Sequence, residues 1–158
     1  YGSHVEYSRH GFNWNIFIKN LEKVRSFISN LVCVVNIYSV YSIPQLQQFA
    51  EKNNFTISYQ PCLYPKFLSI QSLPIKEKLH IIKFYDKVRQ TKHIKNFTLL
   101  KNNVLSYMMN EQIDSYSINK VIYNCNAEFK LFNELLDKTR GESFINTFPQ
   151  FKNWYKEI

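Results

Sequence analysis

The feature that most restricts the fold is a strand–helix–strand pattern between residues 31 and 59. Leu31 to Ile37 is a short, almost continuous apolar run rich in valine, the pattern of a strand covered on both faces in a parallel sheet. Ser42 and Pro44 can start a helix with an inward stripe of Leu46, Phe49 and Ala50, and Asn53-Asn54 ends it. Phe55, Ile57 and Tyr59 then alternate as a second strand. Such a βαβ unit requires parallel pairing, and its crossover is almost always right-handed.

Upstream, Asn13 offers an N-cap to a helix whose apolar positions are Trp14, Phe17, Ile18, Leu21, Val24 and Ile28. This helix stands where the tail of another βα unit belongs, and no strand precedes it. The first twelve residues read as polar and irregular. Gly2-Ser3-His4 matches the remnant of a cleaved tag, whereas the residues around it read as native sequence. With Tyr1 at the start, the missing strand makes the chain read as the C-terminal part of a larger α/β protein.

Downstream, Pro61, Pro65 and Pro74 punctuate a loop with a short extended piece at Phe67-Leu68-Ser69-Ile70. Pro74 opens a helix carrying Leu79, Ile82, Tyr85 and Val88. Beyond residue 90 the strand pattern disappears. Phe97 to Ile113 and Ile118 to Leu136 have helical spacing, the second through Ile118, Val121, Ile122, Cys125, Phe129, Phe132 and Leu136. Gly141 supplies a left-handed stop, Ser143 a new cap, and Phe148-Pro149 a junction before a last short helix with Phe151 and Trp154. Residues 1–90 are thus α/β and 91–158 mainly helical.

Of the 158 residues 45% are hydrophobic, enough for a real core, and three glycines leave no room for a glycine-rich nucleotide loop. The net charge of +8 is spread along the chain. Abundant lysine, asparagine and isoleucine match A/T-rich codon usage; the competing explanation is attraction to nucleic acid or an acidic partner. Arginine, the usual reader of phosphates and bases, is limited to Arg9, Arg25, Arg89 and Arg140. Cys33, Cys62 and Cys125 are an odd, dispersed set with no C-x-x-C pair, which argues against a disulfide framework or a local metal motif and for buried thiols in the cytoplasm. No apolar run reaches membrane-spanning length.

Ligands of parallel sheets bind beyond the carboxyl ends of the strands. That singles out Asn36, Tyr38 and Ser39 after the first strand and Gln60 to Tyr64 after the second, with Asn36 either binding a ligand or satisfying loop backbone. His4, Glu6 and His10 form at most a loose metal-ligand set without helical spacing. Asp137 and Arg140, three apart, read as an ion pair worth a few tenths of a kcal/mol, on the order of 0.3. Aromatics among the lysines of residues 84–101 can be read as stacking platforms for single-stranded nucleic acid, but their periodicity assigns most of them to a core.

Glu6-Tyr7-Ser8-Arg9-His10-Gly11, Trp14 and Asn20-Leu21 together resemble the stretch after the fourth barrel strand of radical S-adenosylmethionine enzymes of the SPASM/twitch group, where the pattern E-Y-x-R-x-G-x-x-W is common. Val35-Asn36 with Ser42-Ile43-Pro44-Gln45-Leu46 is similar to the fifth strand and its helix. Pro61 to Pro74, with Leu68-Ser69-Ile70 and Leu73-Pro74, resembles the sixth strand and the exit from the barrel. Leu136-Asp137-Lys138-Thr139-Arg140-Gly141, Phe148-Pro149 and Trp154 resemble the twitch-type C-terminal pattern D-x-x-R…F-P-x-x-x-x-W.

The resemblance implies the last third of a partial (β/α)6 half-barrel in residues 1–90 and a helical twitch-like region in 91–158. In the family a [4Fe–4S] cluster on a C-x-x-x-C-x-x-C loop reduces S-adenosylmethionine to a 5′-deoxyadenosyl radical, which abstracts hydrogen from substrate. That loop is absent here, so this chain alone is not expected to be active. Its implied partners are the missing N-terminal barrel portion or a partner chain, an electron donor, and an unidentified substrate such as a peptide; neither membrane nor nucleic acid is among them. By position, Arg9 would contact the carboxylate of S-adenosylmethionine through its guanidinium fork. Asn36 would approach the ribose and amino-acid moiety, and Cys62 and Leu63 would lie beside the adenine. The C-terminal half lacks the cysteines of an auxiliary cluster. The alternative is a non-catalytic basic interaction module associated with nucleic acid.

Overall fold

A computed structural model of the chain describes residues 1–91, 93–109 and 115–158, the side chains of 115–123 excepted. It is a mixed α/β structure, mostly helical, around a two-stranded parallel sheet. The stripe expected from Ile118, Val121 and Ile122, and Ile113 before it, lie outside the described side chains.

The first helix, α1 (Ser3–Ser8), occupies a segment that the sequence pattern leaves irregular. Gly11, at φ 80°, turns the chain into α2 (Trp14–Lys23). Two side chains hold the start of α2. The Asn13 carboxamide oxygen accepts from the Ile16 N–H at 2.9 Å, and the Glu6 carboxylate accepts from the Trp14 N–H at 2.8 Å. The helix ends at Lys23 and passes into a 3₁₀ turn, Arg25–Phe27, so Val24 and Ile28 do not extend its stripe.

Strand β1 (Asn30–Val35) pairs in parallel with β2 (Thr56–Pro61), from Asn30 opposite Thr56 to Val35 opposite Pro61, and α3 (Ile43–Lys52) connects them. The βαβ unit is therefore present. Coverage on both faces is not. Leu31, Cys33 and Val35 turn toward the core, whereas Val32 is 59% and Val34 40% exposed. Thr56, Ser58 and Gln60 of β2 are exposed on that same open face. The valine run is thus a strand packed on one face, with the other left bare among the described residues.

The segment after β2 forms two 3₁₀ turns, Lys66–Leu68 and Ile70–Ser72, where a short extended piece or sixth strand was expected. Serine hydroxyls account for the tight winding: Ser69 Oγ accepts from the Gln71 N–H, and Ser72 Oγ donates to the Ser69 carbonyl at 2.7 Å. The Ile37 N–H donates to the Leu68 carbonyl at 3.0 Å and ties this loop to the end of β1.

Helices α4 (Ile75–Thr91), α5 (Phe97–Met109), α6 (Ser115–Arg140), α7 (Phe144–Thr147) and α8 (Lys152–Glu157) complete the chain. In α4 the buried phase runs through Ile81, Tyr85 and Val88, and Leu79 is exposed. Gly141, at φ 65°, ends α6 in the left-handed region, and Ser143 Oγ accepts from the Asn146 N–H to cap α7. A single core runs from Tyr7 through Val35, Ile81, Tyr85 and Phe129 to Trp154 and Tyr155, so residues from both halves fill one interior. A smaller cluster of Leu21, Ala50 and Phe55 sits beneath α2 and α3.

Candidate functional site

A cavity of about 400 Å³ runs beside the free edge of β1. Its walls are apolar where α2 and α3 meet the strand, with Phe17, Leu21, Leu31 and Leu46 among them. Its polar groups come from α1 and the turn after β1, chiefly Arg9, Asn36 and Ser39.

Two of the four residues assigned by resemblance therefore share this cavity. Arg9 is exposed, and its guanidinium makes no ion pair or hydrogen bond with any described residue. Asn36 is partly committed. Its Oδ1 accepts from the Ser39 N–H at 2.9 Å, while its own backbone N–H donates to Ser39 Oγ at 2.9 Å. This reciprocal pair builds the turn at the carboxyl end of β1, the backbone role weighed for Asn36 from its sequence position. The amide nitrogen Nδ2 bonds to no described residue and keeps its donors.

Cys62 and Leu63 do not line the cavity. They follow β2, on the opposite edge of β1 from the cavity. The Cys62 N–H donates to the Val35 carbonyl at 3.0 Å, and its thiol donates to the Tyr64 carbonyl at 3.4 Å. Leu63 is 56% exposed. Burial raises the thiol pKa at all three cysteines, to about 11 at Cys33, which disfavours the thiolate needed for metal binding or nucleophilic attack. Among the described residues no three His, Cys, Asp or Glu side chains converge as a metal site.

His4, Glu6 and His10 point to three different places. Glu6 caps α2, His10 Nδ1 lies 3.6 Å from Glu142, and the His4 ring packs 4.6 Å from Phe148 at the cavity wall. Desolvation lowers the His4 pKa from 6.5 to about 4, helped by the N-terminal ammonium and opposed by the backbone of Thr147. The unfolded chain then takes up a proton near pH 6.5 that the folded ring refuses until about pH 4. Stability from this group is complete above 6.5 and falls as pH drops through that window. Lowering pH from 7 to 5 should cost about 1–2 kcal/mol, discounted for partial exposure. Urea midpoints of the wild type and His4→Gln at both pH values check this; identical pH slopes in the two proteins would exclude His4 as the cause.

The contact between the chain's two ends had no sequence prediction of its own. Tyr7 is buried, and its hydroxyl lies 2.9 Å from both Asn133 Oδ1 and Asp137 Oδ1. The Tyr38 hydroxyl donates to the same Asn133 oxygen at 2.9 Å. Asp137 also accepts the Phe144 N–H, at 2.9 Å to Oδ2, and Arg140 Nη1 donates to the Tyr7 carbonyl at 3.1 Å. Asp137 and Arg140 thus engage Tyr7 from two sides and do not form the expected ion pair with each other. The two outermost segments that carry the family resemblance touch here.

Tyr85 and Phe97 are buried in the core, and Phe84 packs against it half-buried, as the helical periodicity of residues 84–101 assigns them. No described helix is long and apolar enough to cross a membrane.

No family model, curated protein or solved structure matches this chain.

Proposed function

We propose that the chain is the C-terminal part of a radical S-adenosylmethionine enzyme, the last βα units of a half-barrel followed by a helical twitch-like region. The observation that carries this reading is the shared cavity of Arg9 and Asn36, in which the guanidinium has no described partner. The one-sided sheet supports it as well. The faces of β1 and β2 turned away from the core, with Val32, Val34, Thr56, Ser58 and Gln60, correspond to the interior of a barrel completed by further strands.

In this reading Arg9 pairs its fork with the carboxylate of S-adenosylmethionine, and Asn36 Nδ2 donates to the same end of the cofactor. Phe17, Leu21 and Leu46 keep water from the apolar wall. Bound there, S-adenosylmethionine supplies the hydrogen-abstracting chemistry of the family. The [4Fe–4S] cluster is different: three separated, buried cysteines do not fit its ligand set, so its ligands belong to another segment or a partner chain.

A C-x-x-x-C-x-x-C segment is expected in the reading frame upstream of Tyr1 or in a partner chain; finding neither would end the enzymatic reading. In the protein that carries that segment, Arg9→Ala should weaken S-adenosylmethionine binding by about 1–3 kcal/mol, the cost of losing a charged hydrogen bond. Calorimetric titration measures it, and unchanged affinity would remove Arg9 from the site.

A further inference from the structure

Asn133 has no exposed surface, and the two tyrosines that reach it pack against Phe144 and Phe148. Its Nδ2 donates to the Phe129 carbonyl one turn back at 2.7 Å, which fixes the plane of the amide. Its Oδ1 takes both tyrosine hydroxyls, Tyr7 and Tyr38, at 2.9 Å each. A leucine would fill this aromatic interior without desolvating an amide, and hydrogen bonds that replace those to water add little net stability. What the carboxamide supplies is geometry: its bonds hold two partners at set lengths and directions.

Those partners belong to the two pieces of chain that bring polar groups to the cavity. Tyr7 lies on α1 two positions before Arg9, and Tyr38 lies in the turn two positions after Asn36. Each piece is braced locally. The Arg9 N–H donates to the Val5 carbonyl at 3.0 Å, and the Ser39 N–H donates to Asn36 Oδ1 at 2.9 Å. Such bracing keeps each piece in shape but does not set one against the other. The Asn133 oxygen on α6 does, because it joins the Arg9 side of the cavity to the Asn36 side. Arg140 Nη1, on the Tyr7 carbonyl, ties α6 to α1 a second time.

We infer that Asn133 is a positioning residue: by holding Tyr7 and Tyr38 on one oxygen, it sets the separation between the Arg9 guanidinium and the Asn36 amide. Both groups can then meet the amino-acid end of one S-adenosylmethionine molecule. The inference rests on the cofactor reading given above. Two groups that must engage one ligand together gain affinity from being held in place beforehand and lose it when either drifts.

The test, in the protein that carries the C-x-x-x-C-x-x-C segment, compares S-adenosylmethionine with 5′-methylthioadenosine, which keeps the adenosine and sulfur but lacks the amino-acid end. Asn133→Leu should weaken S-adenosylmethionine about tenfold and 5′-methylthioadenosine by less than about twofold, because only the first needs both polar groups held in advance. In an Arg9→Ala background the same change should weaken S-adenosylmethionine by less than about threefold, the non-additivity of residues that act through one another. In this chain without cofactor, Asn133→Leu should speed amide hydrogen exchange at Arg9 and Ser39 and leave Cys62, on the strand ladder, unchanged.

Equal losses for the two nucleosides, or additive losses with Arg9→Ala, would mean that the change merely loosens the cavity and would overturn the inference. So would unchanged exchange at Arg9 and Ser39, or full S-adenosylmethionine affinity in Asn133→Leu. In that last case the cofactor reading survives where Arg9→Ala by itself weakens binding; where Arg9→Ala also binds normally, both fall. Tyr7→Phe and Tyr38→Phe each remove one hydroxyl from Asn133 and should weaken S-adenosylmethionine alone by about threefold. They decide the matter with the same pair of ligands should Asn133→Leu fail to fold.

Discussion

Phe148→Ala is expected to destabilise the protein by about 3–5 kcal/mol, the range for deleting a fully buried phenylalanine. Phe148 has no exposed surface, and rings from separate parts of the chain surround it. Its centroid lies 5.3 Å from Tyr7, 5.5 Å from Tyr38, 5.0 Å from Phe144 and 4.6 Å from His4. Those neighbours sit on α1, on the turn after β1 and on α7, and each is held by further contacts, so no one of them can swing in to refill the space. Urea denaturation should show a lower midpoint with an unchanged m-value. A loss below about 1 kcal/mol would mean that the site collapses readily and that the aromatic cluster is looser than its geometry.

Asp137→Ala should cost about 2–4 kcal/mol, because it strips acceptors from two donors at once. The Phe144 N–H at the start of α7 loses its acceptor, and the Tyr7 hydroxyl keeps only Asn133, which it shares with Tyr38. Asp137→Asn retains one oxygen and should lose about half as much. A double-mutant cycle with Tyr7→Phe separates the two bonds. Coupling of at least about 0.5 kcal/mol is expected for groups in direct contact, and strict additivity would show that the Tyr7–Asp137 bond contributes nothing.

The elements that sequence pattern located were those whose determinants are local. Asn13, Pro44, Pro74, Gly141 and Ser143 mark boundaries through their own backbone or side-chain chemistry, and the helices begin or end beside them. Helix α1 escaped notice because its six residues carry only Val5 and Tyr7 as apolar positions; such a short helix owes its stability to tertiary contacts. The phase of α4 was ambiguous because Leu79, Ile81 and Ile82 offer two overlapping stripes, and packing chose the one through Ile81. Single-sided burial of β1 was hidden for a related reason. An unbroken valine run has no alternation from which to read an open face.

The site divides along the same line. Asn36 was found through a general rule about strand ends, and Arg9 through resemblance, and both reach the cavity. Cys62 and Leu63 do not, because the spacing of a βαβ unit fixes that two strands are neighbours but not which edge of the pair borders a cavity. The links of Tyr7 to Asn133 and Asp137 span 126 and 130 positions, a separation that no local pattern encodes.

Those long links also order the events by which the chain takes shape. Contacts between residues more than a hundred positions apart form only after the intervening chain has been drawn together, and each carries a loop-closure cost before it returns any stability. Helix α1 precedes its anchoring partners Asn133 and Asp137 by more than a hundred residues. It must wait, unsupported, while βαβ and the central helices assemble from nearer neighbours. The opening segment, with the arginine assigned to the cavity, is accordingly among the last parts to be fixed, and the cavity acquires its α1 wall only when the C-terminal helices arrive.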